Sequence, residues 1–338
     1  MVNPLATTQE KVTIVSPFHN RKEVVERTIV SMCDQTYSNL EIIVWDDASS
    51  DGTWEEMERV AASLKDPRLK IIKYIENQGL TEGLNKAIKM TDAKYVAIVG
   101  SGDVCHPKRI DAQVEALEND VNANFCATNS ISINVENNEK FVDDVFDGYK
   151  IEEKDLVYKV PFTHGSVMFR KQAVLDCGLY ESVFKWCADW DLFLRLCKDG
   201  YGIYLKEEYY FRYAMLDGAS FNPKKSMEQL ECKYLARNLY ENSDNREKII
   251  ENAKQNLRKC VSEYEKNIIR DLWKRQIKLI FMGEVVYANE LESLINEKYG
   301  SSLDRKVGTL LAKIIRSLPI SPTVLINKAR EIAKIVKI

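Results

Sequence analysis

The chain has 338 residues, of which 45% are hydrophobic and 29% are charged, and its formal net charge is −3. This composition is typical of a globular protein and excludes the collagen-like, intrinsically disordered and disulfide-scaffold classes. The near-neutral charge argues against a dedicated nucleic-acid binder, which usually carries a basic excess. The charge is unevenly spread, because residues 304–338 carry a net charge of +6 and the rest carries −9.

Composition also bears on the compartment in which the chain works. The first eleven residues are polar and lack the apolar core of a signal peptide, and no run of 18 apolar residues occurs. We therefore expect a cytoplasmic protein without a transmembrane helix. The eight cysteines form no C-x-x-C pair, so we expect reduced thiols. Three histidines are too few for most histidine-based zinc sites.

Apolar runs rich in β-branched residues alternate with segments of helical spacing through residue 128. The predicted strands are Val12–Ser16, Glu41–Trp45, Leu69–Tyr74, Tyr95–Val99 and Asn124–Thr128. The predicted helices are Lys22–Cys33, Glu55–Leu64, Thr81–Met90 and Pro107–Asn119. This alternation predicts βαβ units and an α/β fold, with a mostly parallel sheet covered by helices on both faces.

Polar clusters follow three of the predicted strands. They are Pro17–Asn20, Asp46–Asp47 and Ser101–Asp103. Ligands of such sheets bind beyond the carboxyl ends of the strands, so this placement indicates a binding site. The alternative is that these segments are polar only because loops generally are.

The chain changes character after residue 128. Residues 130–159 are acidic and rich in asparagine, and they predict an irregular surface excursion or flap. We then predict a strand at Val167–Phe169, a short helix at Asp191–Cys197 and an aromatic strand at Ile203–Tyr213. From Pro223 the pattern is helical nearly to the end. The predicted domains are therefore 1–222 and a helical region over 223–338.

Two common phosphate-binding motifs do not fit the chain. No G-x-x-x-x-G-K-[ST] segment occurs, which excludes a P-loop. Gly100-Ser101-Gly102 begins like G-x-G-x-x-G, but Cys105 replaces the third glycine and Pro107 delays the helix, which disfavours a dinucleotide site. The remaining clusters are rich in carboxylates, and a divalent cation can bridge carboxylates to a nucleotide diphosphate. These clusters indicate group transfer from a nucleotide-activated donor.

Five segments match, in order, the motifs of one enzyme family. They are Val12–Asn20, Ser31–Tyr37, Glu41–Thr53, Asn77–Ile88 and Ala188–Leu196. They are similar to V-S-I-I-x-P-T-Y-N, S-x-x-x-Q-T-Y, E-I-I-V-V-D-D-G-S-x-D-x-T, N-x-G-L…N-x-G-I and E-D-x-D-L-x-L-R-L. The chain thus resembles glycosyltransferase family 2, whose members are inverting enzymes of the GT-A fold, over about residues 12–220.

The resemblance implies a site for a nucleotide-sugar donor. Asp47 matches the family aspartate that reads the nucleobase edge, typically uracil N3, and a carboxylate suits that N–H donor. Pro17 and His19 match positions that line the base and ribose, with His19 in place of the usual tyrosine. The other donor-binding residues that we expect are Asn20, Gly79, Ser101 and Arg212. UDP is the expected nucleotide.

The resemblance also implies that Asp189 is the catalytic base. By sequence alone this residue would be an ordinary helix N-cap, but the family motif assigns it the proton of the acceptor hydroxyl. On the acceptor side, we expect contributions from His164, Trp186 and Trp190, although burial of the two tryptophans is an equally good reading.

The metal site departs from the family pattern. Gly100 and Gly102 replace the two aspartates of the D-x-D motif, and Ala214 replaces a later histidine that assists the diphosphate or metal. Asp103 alone remains. Two alternatives are open: Asp103 holds Mg²⁺ or Mn²⁺ together with water and phosphate, or cations such as Arg212 meet the diphosphate charge.

Together these observations predict an inverting glycosyltransferase of surface polysaccharide biosynthesis that acts on a glycan or lipid-linked acceptor. The competing hypothesis is a non-catalytic subunit of similar fold, which the lost aspartates and Ala188 motivate. Residues 304–338 predict basic amphipathic helices, which suit either the inner face of the cell membrane or a protein surface. A homo-oligomer is also compatible with this segment.

Overall fold

The computed structural model describes residues 9–135, 140–142, 146–214, 222–281 and 284–299. The chain divides into two compact units, an N-terminal unit (Met1–Met215) and a C-terminal unit (Leu216–Ile338). The boundary that the sequence suggests, between 222 and 223, lies a few residues further along the chain and stays a prediction.

The N-terminal unit is built on one mixed sheet of ten strands in the described residues. The strands are β1 (Val12–Phe18), β2 (Leu40–Asp47), β3 (Leu69–Tyr74), β4 (Tyr95–Ile98), β5 (Val104–Cys105), β6 (Ala123–Asn134), β7 (Lys140–Val142), β8 (Lys150–Ile151), β9 (Met168–Arg170) and β10 (Tyr201–Ala214). The order is β3-β2-β1-β4-β9-β6-β10-β5, with β7 beside β6 and β8 beside β10. The pairs β1–β2, β1–β4, β2–β3 and β6–β10 are parallel, which confirms the predicted α/β class.

Helices connect and cover these strands. They are α1 (Val25–Cys33), α2 (Thr53–Leu64), α3 (Leu80–Met90), α4 (Arg109–Asn119), α5 (Glu153–Leu156), α6 (Lys171–Asp176) and α7 (Ala188–Lys198). Every residue of β2 is buried, and four of the six residues of β3 are partly buried. Burial at successive positions, on both faces of the pleat, is what a central parallel strand requires. Because β1 is parallel to both β2 and β4, the carboxyl ends of these three strands lie at the same edge of the sheet.

The predicted irregular excursion over 130–159 is wrong for much of its described part. Strand β6 continues to Asn134, and β8 and α5 lie further along the same stretch. The longer strand exists because β10 pairs with it up to Ala214. Its buried polar residues, such as Ser130 and Ser132, hide this pairing from a hydrophobic pattern.

The C-terminal unit is helical in its described residues, as predicted. Its helices are α8 (Pro223–Glu241), α9 (Arg246–Cys260), α10 (Glu265–Phe281) and α11 (Val285–Tyr299). Asn222 caps α8 by accepting the N–H of Lys225 at 3.0 Å. Glu231 on α8 accepts the hydroxyl of Tyr299 at 3.1 Å, which ties α11 to α8.

Residues 304–338, for which the sequence predicts basic amphipathic helices, lie outside the described residues. Across the helices that the structure does describe, none is long and apolar enough to span a bilayer. All eight cysteines fall in described segments and are free thiols.

Candidate active site

Asp47, the last residue of β2, organises one end of the candidate site. Its Oδ1 accepts the N–H of Gln78 at 2.7 Å and its Oδ2 accepts the N–H of Gly79 at 2.9 Å. Gly79 has a φ of +79° and directly precedes α3, a conformation that favours glycine. Asp47 thus fixes the loop before α3, and only 4% of the residue is exposed.

His19 lies directly against this aspartate. Its Nδ1 is 2.8 Å from the main-chain oxygen of Asp47, and the Asn77 amide donates to that same oxygen at 3.3 Å. Asn77 also lies 3.3 Å from the His19 ring. The structure therefore brings the two predicted nucleotide-binding residues, His19 and Asp47, into one cluster with Asn77.

Hydrogen bonds join the loop after β1 to the loop after β2 beside this cluster. Asn20 has a left-handed φ of 51°, and its N–H donates to Ser49 Oγ at 2.8 Å. Its side-chain oxygen accepts the N–H of Ser50 at 2.9 Å. Pro17 stands opposite Trp45 in the parallel register of β1 and β2. Asn20 thus has a clear role in holding the loops, and its contact with a donor stays a prediction.

The loop after β4 forms a second cluster, centred on Asp103. Oδ2 accepts the Tyr210 hydroxyl at 2.6 Å, and Oδ1 accepts the N–H of Tyr213 at 3.0 Å. The Tyr210 oxygen in turn accepts the N–H of Gly100 at 2.9 Å. Burial raises the pKa of Asp103 to about 6, although these hydrogen bonds and the charges of Arg212 and Arg27 oppose the rise.

The remaining residues predicted near the diphosphate lie beside this cluster or next to it in the chain. Arg212 donates from Nε to Ser132 Oγ at 3.1 Å, and its charge acts on Asp103. Ser101 is partly exposed in the same loop. The fully buried Arg109 lies with its guanidinium 5.2 Å from the centre of the Tyr210 ring, so a buried cation stacks against the tyrosine.

The side chains at this loop do not form a resident metal site by themselves. Within the described residues, no group of three or more His, Cys, Asp or Glu side chains could hold an ion. Asp103 is the one carboxylate of the motif, and both its oxygens already accept hydrogen bonds. Divalent cations in proteins are usually held by several oxygen ligands. The metal role of Asp103 therefore stays a prediction.

Asp189 lies in the first turn of α7, which begins after Cys187 in a left-handed conformation with φ 57°. The residue is partly exposed, and within the described part of the chain no side chain or main-chain group makes a hydrogen bond or ion pair with its carboxylate. Asp191 and Arg195, by contrast, form an ion pair at 2.9 Å that fastens the helix. Of the two aspartates in the first turn of α7, Asp191 is thus paired within the helix, whereas Asp189 is partly exposed.

His164 and Tyr180 lie close enough to Asp189 for its charge to act on both. His164 Nε2 and the Tyr180 hydroxyl share a hydrogen bond of 2.7 Å. Burial lowers the pKa of His164 and raises that of Tyr180, so both groups are neutral at pH 7. His164 thus supports the wall beside Asp189, and its contact with an acceptor stays a prediction.

The two candidate tryptophans differ in their surroundings. Trp190 donates from its indole nitrogen to the Leu156 main-chain oxygen at 2.7 Å, so its polar edge joins α7 to α5. Trp186 is partly exposed, and the Lys185 ammonium lies 5.9 Å from its ring centre. The contact of either tryptophan with an acceptor sugar stays a prediction.

Contacts between loops bring these clusters toward one edge of the sheet. Asn85 on α3 donates to the Tyr180 main-chain oxygen at 2.8 Å, and Thr81 donates to that of Phe184 at 3.1 Å. A Cβ at Gly165 would come within 2.0 Å of the Tyr210 hydroxyl, so that turn packs tightly on the Asp103 cluster. Arg27, Asn77, Tyr180 and Tyr210 were not predicted as site residues. Only Asn77 had a sequence signal, its place in the N-x-G-L motif.

The fold is GT-A-like, and the comparisons with known proteins identify glycosyltransferases. The family model described as Glycosyl transferase family 2 matches residues 13–179. EpsE of Bacillus subtilis (strain 168), assigned as a glycosyltransferase, is 29% identical over 213 residues, 59% of this chain and 72% of EpsE. The UDP-Glc:alpha-D-GlcNAc-diphosphoundecaprenol beta-1,3-glucosyltransferase WfaP of Escherichia coli is 33% identical over 109 residues, 32% of this chain and 42% of WfaP.

Solved structures agree on the fold. TarS of S. aureus, in complex with UDP-GlcNAc, has a TM-score of 0.55 at 16% identity and covers 79% of this chain and 80% of TarS. The mannosyltransferase PcManGT of Pyrobaculum calidifontis, in complex with GDP-Man and Mn²⁺, has a TM-score of 0.54 at 16% identity. The match covers 98% of this chain and 87% of PcManGT. The chain belongs to glycosyltransferase family 2, and it is a transferase. The competing reading of a non-catalytic subunit gains no support from these relatives.

Proposed function

We propose that this enzyme transfers a sugar from a UDP-sugar to a hydroxyl of a glycan or lipid-linked acceptor in polysaccharide biosynthesis, with inversion at the anomeric carbon. The observation that carries the proposal is the Asp189 carboxylate, partly exposed at the start of α7 and without a hydrogen-bond partner in the described residues. A general base must keep its lone pairs available to the substrate.

The chemistry needs one proton transfer and one displacement. Asp189 takes the proton of the acceptor hydroxyl while that oxygen forms a bond to the anomeric carbon. The bond from this carbon to the β-phosphate oxygen breaks, and its electron pair leaves with the nucleoside diphosphate. Attack comes from the face opposite the leaving group, so the configuration inverts.

The cluster of His19, Asp47 and Asn77 supports the nucleotide assignment. The flat His19 ring is held by the Asp47 main-chain oxygen, which orients it for stacking on a base. Each Asp47 oxygen accepts one main-chain N–H, which leaves a second lone pair on each for the N3–H of uracil. UDP is also the nucleotide in the names of WfaP and of the TarS complex.

The acceptor assignment rests on the wall around Asp189 and on similarity. We place the acceptor sugar against Trp186, with His164 and Trp190 supporting the wall from behind. WfaP, whose name specifies a diphosphoundecaprenol-linked acceptor, favours a lipid-linked glycan. Such an acceptor would bring the enzyme to a membrane surface, for which residues 304–338 are the candidate contact.

A substitution that keeps the shape of the side chain tests the base. Asp189→Asn keeps the shape of the side chain and removes its basicity, so transfer should be lost while UDP binding is retained. Asp199→Asn is the matched control, because Asp199 is an exposed aspartate directly after the same helix. A panel of nucleotide-sugars, scored by thermal stabilisation, identifies the donor for the assay.

A further inference from the structure

Arg27, on α1, is a cation at the Asp103 cluster that takes no part in the proposed proton transfer. Its Nε donates to the Gly102 main-chain oxygen at 2.7 Å, and its guanidinium lies 4.1 Å from the centre of the Tyr213 ring. Its Nη2 is buried and has no hydrogen-bond partner among the described residues. Native structures leave few buried polar atoms unpaired, so an exception of this kind calls for an explanation.

The unpaired Nη2 lies where the side chain of residue 102 would begin. A Cβ at Gly102 would be 3.3 Å from Nη2. An aspartate at this position, as in the family pattern, would therefore place a carboxylate against the guanidinium and balance its positive charge. This chain has glycine there, and the carboxylate whose charge acts on Arg27 is that of Asp103.

The loop is also shaped around its two glycines. Gly102 has a φ of +99°, which disfavours any side chain, and a Cβ at Gly100 would lie 2.6 Å from Asp103 Oδ2. Asp103, held by two hydrogen bonds, thus occupies the space of a side chain at position 100. The loop lacks two carboxylates of the family pattern, and two arginines from other elements, Arg27 of α1 and Arg212 of β10, act on the third.

We infer that Arg27 binds the diphosphate of the donor in place of a divalent cation, and that sugar transfer proceeds without metal. Arg27 is partly exposed, and its Nη1 makes no hydrogen bond within the described residues. A guanidinium binds phosphate oxygens through short, charge-assisted hydrogen bonds, and the Tyr213 ring and Gly102 oxygen fix its plane. Arg27 stays protonated throughout and stabilises the charge that develops on the leaving β-phosphate oxygen. This inference rests on the proposed nucleotide-sugar function.

The test compares binding of UDP and of uridine to the full chain. Calorimetry gives the UDP affinity in excess EDTA and with added Mg²⁺ or Mn²⁺, and saturation-transfer NMR follows uridine, which lacks phosphate. The variants are Arg27→Gln, Arg27→Lys and the control Arg59→Gln, in which an exposed arginine of α2 loses its ion pairs with Glu26 and Glu56. Thermal unfolding verifies that each variant is folded.

We expect the UDP affinity to be the same in EDTA as with metal. Arg27→Gln should weaken UDP binding about tenfold to a hundredfold, the effect of losing a hydrogen bond between charged groups, and leave uridine binding unchanged. The UDP affinity of Arg27→Lys should lie between those of Arg27→Gln and wild type, because lysine keeps the charge but not the planar guanidinium. Arg59→Gln should bind like wild type.

Three results would overturn the inference. UDP binding that appears only with Mg²⁺ or Mn²⁺ would restore the metal and leave the proposed function intact. An unchanged UDP affinity in Arg27→Gln would remove Arg27 from the diphosphate site. Failure of both uridine and UDP to bind wild type under every condition would refute the UDP assignment, and this inference with it.

Discussion

Replacing Asp103 by asparagine probes the electrostatics of the loop after β4. The carboxyl lies between the Tyr210 hydroxyl and the Tyr213 amide, and burial raises its pKa from 3.8 to about 6. Asparagine keeps the size of the side chain and an oxygen that can accept the Tyr213 N–H, but it does not titrate. The variant therefore isolates the proton that the folded protein holds.

The shift sets the size and sign of the effect. A rise of about two pKa units corresponds to about 3 kcal/mol at most. Between about pH 4 and about pH 6 the folded protein keeps a proton on Asp103 that the unfolded chain releases. This contribution to stability is present below pH 4 and is lost as the pH rises through 6. The free energy of unfolding of Asp103→Asn, minus that of wild type, should therefore rise over this range.

Guanidinium unfolding at a series of pH values measures this difference, with tryptophan fluorescence as the probe. Four of the five tryptophans lie in the N-terminal unit, so the signal reports mainly on the relevant part. A difference for Asp103→Asn that stays flat across this pH range would refute the reasoning, because it would mean that Asp103 titrates alike in the folded and unfolded states.

Two further substitutions test the clusters on either side. Asp47→Asn replaces one carboxylate oxygen by an N–H₂ group that cannot accept the Gln78 or Gly79 N–H; it should cost about 1–3 kcal/mol of stability and weaken uridine binding, and unchanged values of both would contradict its assigned role. His164→Gln removes a group whose pKa burial lowers from 6.5, so wild type should lose stability relative to the variant as the pH falls below about 6.5, whereas parallel pH curves would contradict this.

The strands that the sequence predicts best are the buried parallel ones. Apolar runs in β1, β2 and β4 identify strands because both faces are covered. The second half of β6 and the two-residue strand β8 exist because β10 offers hydrogen bonds, a tertiary cause that leaves little pattern in a single segment.

The residues of the candidate site likewise differ in how far the sequence predicts their position. Asp47, His19 and Asp189 stand in contiguous motifs, so their placement could be expected from the chain alone. Arg27 and Tyr210 reach the Asp103 loop from α1 and β10, 75 residues and 107 residues away in sequence. Only folding shows that a cation faces the position at which the motif lacks its aspartate.

The proposed mechanism depends on Asp189 as the base of this family 2 enzyme. The most direct test is the turnover of Asp189→Asn with saturating donor and acceptor, measured beside the Kd for UDP. We expect kcat to fall about 10²- to 10⁴-fold, the usual contribution of a general base, with Kd unchanged. A variant that retains the kcat of wild type would contradict it.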